Sequence, residues 1–524
     1  MFTGISALAD AQGFHEPVDP ADIPPPTPIA FPCYQPFAQD DATVEASGYL
    51  SALLSSTGRR SKRLACTALS AIGLDLTLDV DVQQLIPDPS CIPDFSAWDR
   101  MTLEESQNAD ASTRRPLSCD KHSPGCRIYH ERKTELSSLN EDAFRTVRRI
   151  QPPMGKPAPR LGSAYEFFRY LQQMTVYWDD PTRATSLPSS PEVISLDAAA
   201  GSSETPSETA SSAASVAPER TRAGHQTPPE TRHALVAAFV KMVAYEFGCT
   251  ATPSRKEPRL QLRTPRGSPA SPRKSYYPSR CQFVFQNPQT REASRAGFVY
   301  GPVAAISCRP ETSFTMPDPE TAQSWDLARE LISVLITAQH RARQGKQEEQ
   351  FGLGAWWTFK PRWGGAPGGG PIGCELQRDG ISGDKDMMPD PISGQDTPAL
   401  VPPTKKLRRR LYDNYRMVRP PARTWDAKAK YISIGKQAGA NYDDIFLVSS
   451  LFHHISILRV RVPLRLLAVL DGAPEPDPTR RDWGTVQAWR TPWYDCFDTK
   501  DRIKAMQLVW SVMAYQMRDD TGAV

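Results

Sequence analysis

Apolar residues recur at helical spacing in five stretches of the chain. In the first stretch, Phe167, Leu171 and Met174 fall on one helical face. Ser163 and Glu166 match a capping box at its start. The helices predicted from this spacing span 163–178, 232–247, 321–344, 443–459 and 499–517.

The predicted helix 443–459 contains the most apolar stretch of the chain and is apolar on nearly every side. We therefore expect it to lie at the centre of the core. It also carries the adjacent residues His453 and His454. Neighbouring residues on a helix point about 100° apart, so this pair cannot form the two-ligand face of a metal site. We expect both to be core or boundary histidines.

Short apolar runs predict strands at 282–285 and 297–300, joined by a polar loop, with a third candidate strand at 303–306. The pattern as a whole predicts an α+β fold. Its core would be predominantly helical, with a small antiparallel β-hairpin or sheet. A long disordered Pro/Ser-rich arm and inserts would extend from that core.

Composition sets the boundaries of the segments outside the predicted core. Proline contributes 50 of the 524 residues, about 9.5% where ~5% is usual. Residues 181–230 contain 32 Ser, Thr, Ala or Pro among their 50 positions. Such segments bury too little apolar surface to offset the entropy lost on ordering, so we expect disorder there.

Nine segments follow from these patterns. They are a disordered N-terminal arm (1–48), a loop-rich, partly helical segment (49–140), a helical core segment (141–180), a disordered insert (181–230), a core helix (231–249), a basic disordered insert (250–280), a β-hairpin plus helix (281–345), a Gly/Pro-rich loop (346–404) and a C-terminal helical core segment (405–518).

The net charge of +3 conceals two strongly basic regions. Residues 253–280 hold eight basic residues and one acid, which gives +7, and residues 401–430 hold ten basic residues and two acids, which gives +8. The rest of the chain therefore carries −12. This separation of charge is the main functional clue in the sequence, because basic stretches bind nucleic acid or acidic protein surfaces.

One short basic run resembles a nuclear-import signal, in which extended cations lie in the acidic grooves of an import receptor. It comprises Lys405, Lys406, Arg408, Arg409 and Arg410. The alternative is the solvated start of a helix, since short basic runs often arise by chance. A weaker second candidate spans residues 59–63.

Three Ser/Thr-Pro pairs cluster in the first basic region, at Thr264, Ser268 and Ser271. The third is followed by Arg273 and Lys274, as in the substrates of cyclin-dependent kinases. Each phosphate would add about −1.5 to −2 charge and could cancel much of the +7. The alternative is that a Pro- and Ser-rich segment produces such pairs by composition alone.

The insert 181–230 contains a single apolar island. Its residues Val193, Ile194 and Leu196 are similar to motifs that bind the small ubiquitin-like modifier by adding a strand to its sheet. The alternative is that this match is coincidental, because four-residue patterns are common by chance.

Two cysteines and two histidines lie close together in a loop-rich region. Cys119, His122, Cys126 and His130 offer two thiolates and two imidazoles, which suit tetrahedral zinc. Their spacing is not that of familiar zinc fingers, so coincidence is the favoured interpretation and no cofactor is predicted.

The first eleven residues contain no Lys or Arg, unlike a signal or transit peptide, and the stretch 445–458 is too short to span a bilayer. We therefore expect a protein that does not enter a membrane, and the basic run 405–410 makes a nuclear or nucleocytoplasmic location the expectation.

The leading hypothesis is a non-enzymatic nuclear regulatory or scaffold protein, regulated by proline-directed phosphorylation of its inserts. Its partners would be other proteins and an import receptor. The first alternative is a nucleic-acid-binding factor that uses segments 253–280 and 401–430. The second is an enzyme of unrecognised type with a site in the α+β core. No catalytic motif appears in the sequence, so catalysis is the less favoured hypothesis.

Overall fold

A computed structural model describes most of the chain. The described residues are 26–35, 50, 72–118, 121–178, 227–252, 258–265, 274–290, 292–293, 296–314, 318–345, 430–477 and 482–519.

Eleven strands lie within the described ranges. They are β1 (Leu74–Thr77), β2 (Cys249–Thr252), β3 (Arg259–Arg263), β4 (Lys274–Pro278), β5 (Gln282–Gln286), β6 (Phe298–Arg309), β7 (Lys430–Ile432), β8 (Tyr442–Leu451), β9 (His454–Pro463), β10 (Val486–Arg490) and β11 (Tyr494–Asp495).

Ten α-helices accompany these strands in the described part of the chain. They are α1 (Val82–Leu85), α2 (Phe95–Arg100), α3 (Leu103–Thr113), α4 (Cys126–Leu136), α5 (Asn140–Val147), α6 (Tyr165–Met174), α7 (Pro229–Ala244), α8 (Pro319–Arg341), α9 (Leu464–Leu470) and α10 (Thr499–Gln516).

Nine of the strands form one mixed sheet at the centre of the molecule. Its order is β1-β10-β9-β8-β6-β5-β2, with β11 paired to β9 and β7 paired to β6. The pairs β1–β10, β6–β7 and β6–β8 are parallel and the others are antiparallel. β3 and β4 form a separate antiparallel pair inside the predicted basic insert.

Helices cover both faces of the sheet. On one face, Phe446 and Val448 belong to an apolar cluster built with α4, α6, α7 and α10, and we call this the α7 face. On the other, Ile445 and Leu447 belong to a cluster built with α8 and α9, which we call the α8 face. Successive residues of a strand point to opposite faces, so β8 contributes to both clusters in turn.

The predicted fold class was wrong, because a large mixed sheet replaces the predominantly helical core with its small hairpin. The decisive error lies at 443–459, which forms most of the β8–β9 hairpin. Leu451 pairs with His454, and Phe452 and His453 make the turn between the strands. A strand covered by helices on both faces is apolar throughout, so periodicity cannot distinguish it from a buried helix.

The other four predicted helices coincide with α6, α7, α8 and α10. The predicted strands at 282–285, 297–300 and 303–306 correspond to β5 and to the single long strand β6. Part of the arm that was predicted to be disordered packs on the core, where Tyr34 is buried. In the described ranges, no helix has both the length and the apolar content needed to cross a membrane.

Candidate functional site

Four buried charged side chains meet on the α8 face. Arg309 ends β6 and Arg490 ends β10, while Asp326 and Glu330 lie one helical turn apart on α8. Each residue is at most 4% exposed. We call these four residues the charge centre.

The charge centre is held together by short contacts. Arg309 Nη1 lies 2.9 Å from Asp326 Oδ2 and 2.8 Å from Glu330 Oε1. Arg490 Nη2 forms an ion pair with the other oxygen of Glu330. Ser449 Oγ on β8 accepts from Arg309 Nη2 at 2.6 Å and donates to Glu330 Oε1 at 2.5 Å. Two cations and two anions balance, so their mutual attraction and the Ser449 hydrogen bonds offset part of the cost of removing four charged groups from water.

The two carboxyl groups have pKa values shifted in opposite directions. Burial raises the pKa of Asp326 to about 6, although Arg309 acts against this shift. Burial also opposes ionisation of Glu330, but Arg309 and Arg490 outweigh it and the pKa of Glu330 is lowered. Carboxyl groups with separated pKa values occur in acid–base sites and also in structural ion networks.

Residues 26–35, which we call the arm segment, cover the charge centre. Tyr34 Oη donates to Asp326 Oδ2 at 2.5 Å, and its ring lies 4.7 Å from the Arg490 guanidinium. Phe31 stacks on Trp493 with ring centroids 5.7 Å apart. A molecule from solvent would therefore have to displace the arm segment to reach Asp326 from this side.

A second polar cluster lies at the tip of the β8–β9 hairpin, where β11 places Asp495 opposite His454. His453 Nδ1 lies 2.9 Å from Asp495 Oδ1, and His454 Nε2 lies 3.9 Å from Asp495 Oδ2. We call these three residues the histidine cluster. In the described part of the chain it is the only group of three or more His, Cys, Asp or Glu with metal-site geometry.

An open groove runs between α6 and α7 on the molecular surface. Its volume is about 470 Å³, and its floor is formed by small or apolar residues such as Ala234, Ala238 and Met242. The charged side chains lining it are three carboxylates and one lysine, with a histidine beside them. They are Glu166, Glu230, Glu246, Lys241 and His233.

Three residues of the candidate zinc loop, His122, Cys126 and His130, have partners in the structure. Cys126 Sγ donates to the Ser106 carbonyl at 3.2 Å, and His130 Nε2 lies 2.7 Å from the Trp98 carbonyl oxygen. His122 pairs with Pro116 in an isolated bridge. Cys119 lies outside the described residues, so the structure does not test the less favoured hypothesis of zinc binding here.

Of the three predicted phosphorylation sites, only Thr264 lies within the described residues. Thr264 is 7% exposed at the end of β3, so a kinase could reach it only if this edge opened. Several predicted sites lie outside the described residues: Ser268 and Ser271, the import residues Lys405, Lys406, Arg408, Arg409 and Arg410, and the modifier-binding residues Val193, Ile194 and Leu196. Two cations of the basic region 253–280 have partners, since Arg259 lies 4.0 Å from the Tyr276 ring and Arg263 pairs with Asp471.

Sequence reasoning missed the charge centre. The only signal was the spacing of Asp326 and Glu330, which place two carboxylates among apolar residues of one predicted helix. Arg309 and Arg490 lie far away along the chain, so their convergence with these acids was not visible. The pair His453 and His454 stood out in the sequence. The incorrect helix assignment, however, pointed their side chains about 100° apart, which excluded a shared site.

The chain matches no protein-family model, no curated protein and no solved structure in the three comparisons.

Proposed function

We propose that this chain is a non-enzymatic nuclear regulatory or scaffold protein whose folded core binds a partner protein in the groove between α6 and α7. The proposal rests on this groove, because the groove combines an apolar floor with access from solvent. The charge centre, in contrast, is buried and its charges are balanced by one another.

The charges at the rim indicate the chemistry of the partner. Three carboxylates and one lysine, Lys241, line the groove. Glu246 is paired with Arg132 at 2.9 Å, whereas Glu166 makes only a longer contact of 3.7 Å with Arg169, so the acidic groups exposed to a partner are Glu166 and Glu230. Burial is the main reason that the pKa of His233 is lowered, which favours the neutral form. The complementary occupant is a segment of a partner protein with an apolar anchor residue and basic flanks. The groove's volume of about 470 Å³ lies within the range of about 300–1,000 Å³ that is typical of ligand pockets.

Nuclear localisation is the second part of the proposal. The basic run 405–410 lies in the chain between α8 and β7, two elements of the core. A fluorescent fusion that lacks 405–410 should lose nuclear accumulation, while a fusion lacking 59–63 should keep most of it. Unchanged accumulation after deletion of 405–410 would remove the argument for this import signal.

The groove is tested by adding a cation to it. Ala234→Lys places a charge at a half-buried position of the groove, and Ala111→Lys adds the same charge at an exposed position on α3. Quantitative affinity purification after crosslinking in cells should show specific partners that Ala234→Lys loses and Ala111→Lys retains. Those partners should carry basic segments that bind the purified protein. If both variants retain the same partners, the groove is not the docking site.

A further inference from the structure

We propose that His453, His454 and Asp495 bind a divalent transition-metal ion, with zinc as the preferred ion. Two imidazoles and one carboxylate are a common donor set for zinc. Three protein ligands leave a fourth position for water or another ligand, as in zinc sites that are not purely structural.

The hairpin brings these three residues together. His453 occupies the turn, His454 begins β9, and Asp495 pairs with His454 across the β9–β11 ladder. One ligand atom from each residue lies within 4.8 Å of the other two. Around a tetrahedral zinc ion with bonds of about 2.0–2.2 Å, ligand atoms are roughly 3.3 Å apart. Side-chain rotation at His454, which is only partly buried, can provide this contraction.

Neighbouring groups orient the carboxylate toward the histidines. Asp495 Oδ1 accepts from the Phe497 backbone N–H at 2.8 Å, which fixes one oxygen and leaves Oδ2 facing His454. Supporting hydrogen bonds of this kind orient metal ligands in known sites. His453 Nε2 and His454 Nδ1 have no hydrogen-bond partner within the described ranges. The rings therefore keep a choice of which nitrogen they present to an ion.

Aromatic side chains surround the histidine cluster and limit the access of water to it. Three aromatic rings enclose the cluster. The Phe31 centroid is 4.9 Å from that of His454, and Phe497 and Trp178 lie 5.0 and 6.3 Å from His453. An apolar shell of this kind controls solvent access and dielectric at metal sites.

The test measures zinc binding by the full-length chain. We expect zinc titration calorimetry to report a site that weakens at least about 100-fold in both His454→Gln and Asp495→Asn. Cobalt substituted at this site should give a visible ligand-field spectrum that both variants lose. Zinc should also raise the thermal unfolding midpoint of the intact chain, and this rise should be absent in the variants.

Two controls distinguish zinc binding at the histidine cluster from binding at the Cys/His loop 119–130 and from loss of the fold. Cys126→Ser/His130→Gln alters that loop and should leave the proposed site unchanged. Circular dichroism of His454→Gln and Asp495→Asn establishes whether each is folded before its zinc affinity is compared. If folded His454→Gln binds zinc as tightly as the intact chain, or if only the loop variant loses zinc, the proposal is overturned.

Discussion

The two faces of the central sheet are packed with different kinds of side chain. The α7 face is filled by large apolar side chains, among them Phe239, Phe446 and Trp510. The α8 face also has an apolar cluster, but the charge centre is embedded beside it. An apolar core tolerates small changes in volume, whereas a buried charge network depends on every partner. The faces should therefore differ sharply in their response to conservative substitutions.

The largest effect is expected from Glu330→Gln, which keeps the volume but removes the anion shared by Arg309 and Arg490. Breaking a buried pair in this way costs about 3–5 kcal/mol. Urea unfolding monitored by circular dichroism measures the loss. Glu320→Gln makes the same change at an exposed position of α8 and should alter stability by less than about 0.5 kcal/mol. Equal effects of the two substitutions would show that the charge centre does not behave as a network.

The second effect is a pH dependence specific to Asp326. Its folded pKa of about 6 is above the unfolded value of about 3.9, so the folded state binds the proton more tightly. Relative to Asp326→Asn, the native chain should therefore lose about 2 kcal/mol of stability as pH rises from about 4 to about 6. Urea unfolding of both proteins across this range measures it. A constant difference would contradict the raised pKa.

Tyr34→Phe tests how strongly the arm segment is attached to the charge centre. The substitution removes one hydrogen bond to Asp326 and should cost about 1.5–3 kcal/mol at neutral pH. Limited proteolysis should cut residues 26–35 faster than in the native chain. Tyr276→Phe, at an exposed position on β4, is the matched control and should leave the digestion pattern unchanged.

Ile457→Val on the α7 face should have the smallest effect, about 0.5–1.5 kcal/mol. It removes one methylene from a residue that is 1% exposed. The same denaturation assay compares it directly with Glu330→Gln. A cost equal to that of Glu330→Gln would remove the contrast between the two faces.

A sequence prediction succeeded or failed according to whether the element is buried on one face or on both. α6 has one apolar stripe, and its spacing was sufficient to predict a helix. β8 and β9 are covered on both faces, so their apolar runs resembled a buried helix. The histidines illustrate the consequence, because only the hairpin turn places them beside Asp495.

The sequence by itself determined where charge is concentrated, where proline interrupts regular structure, and which one-sided helices form. These properties depend on residues close together in the chain. Only the tertiary structure decided which face each strand presents and which distant residues meet. Arg309 and Glu330 are separated by 21 positions, and Glu330 and Arg490 by 160. Their pairing is set by strand order and helix packing, which local periodicity does not encode.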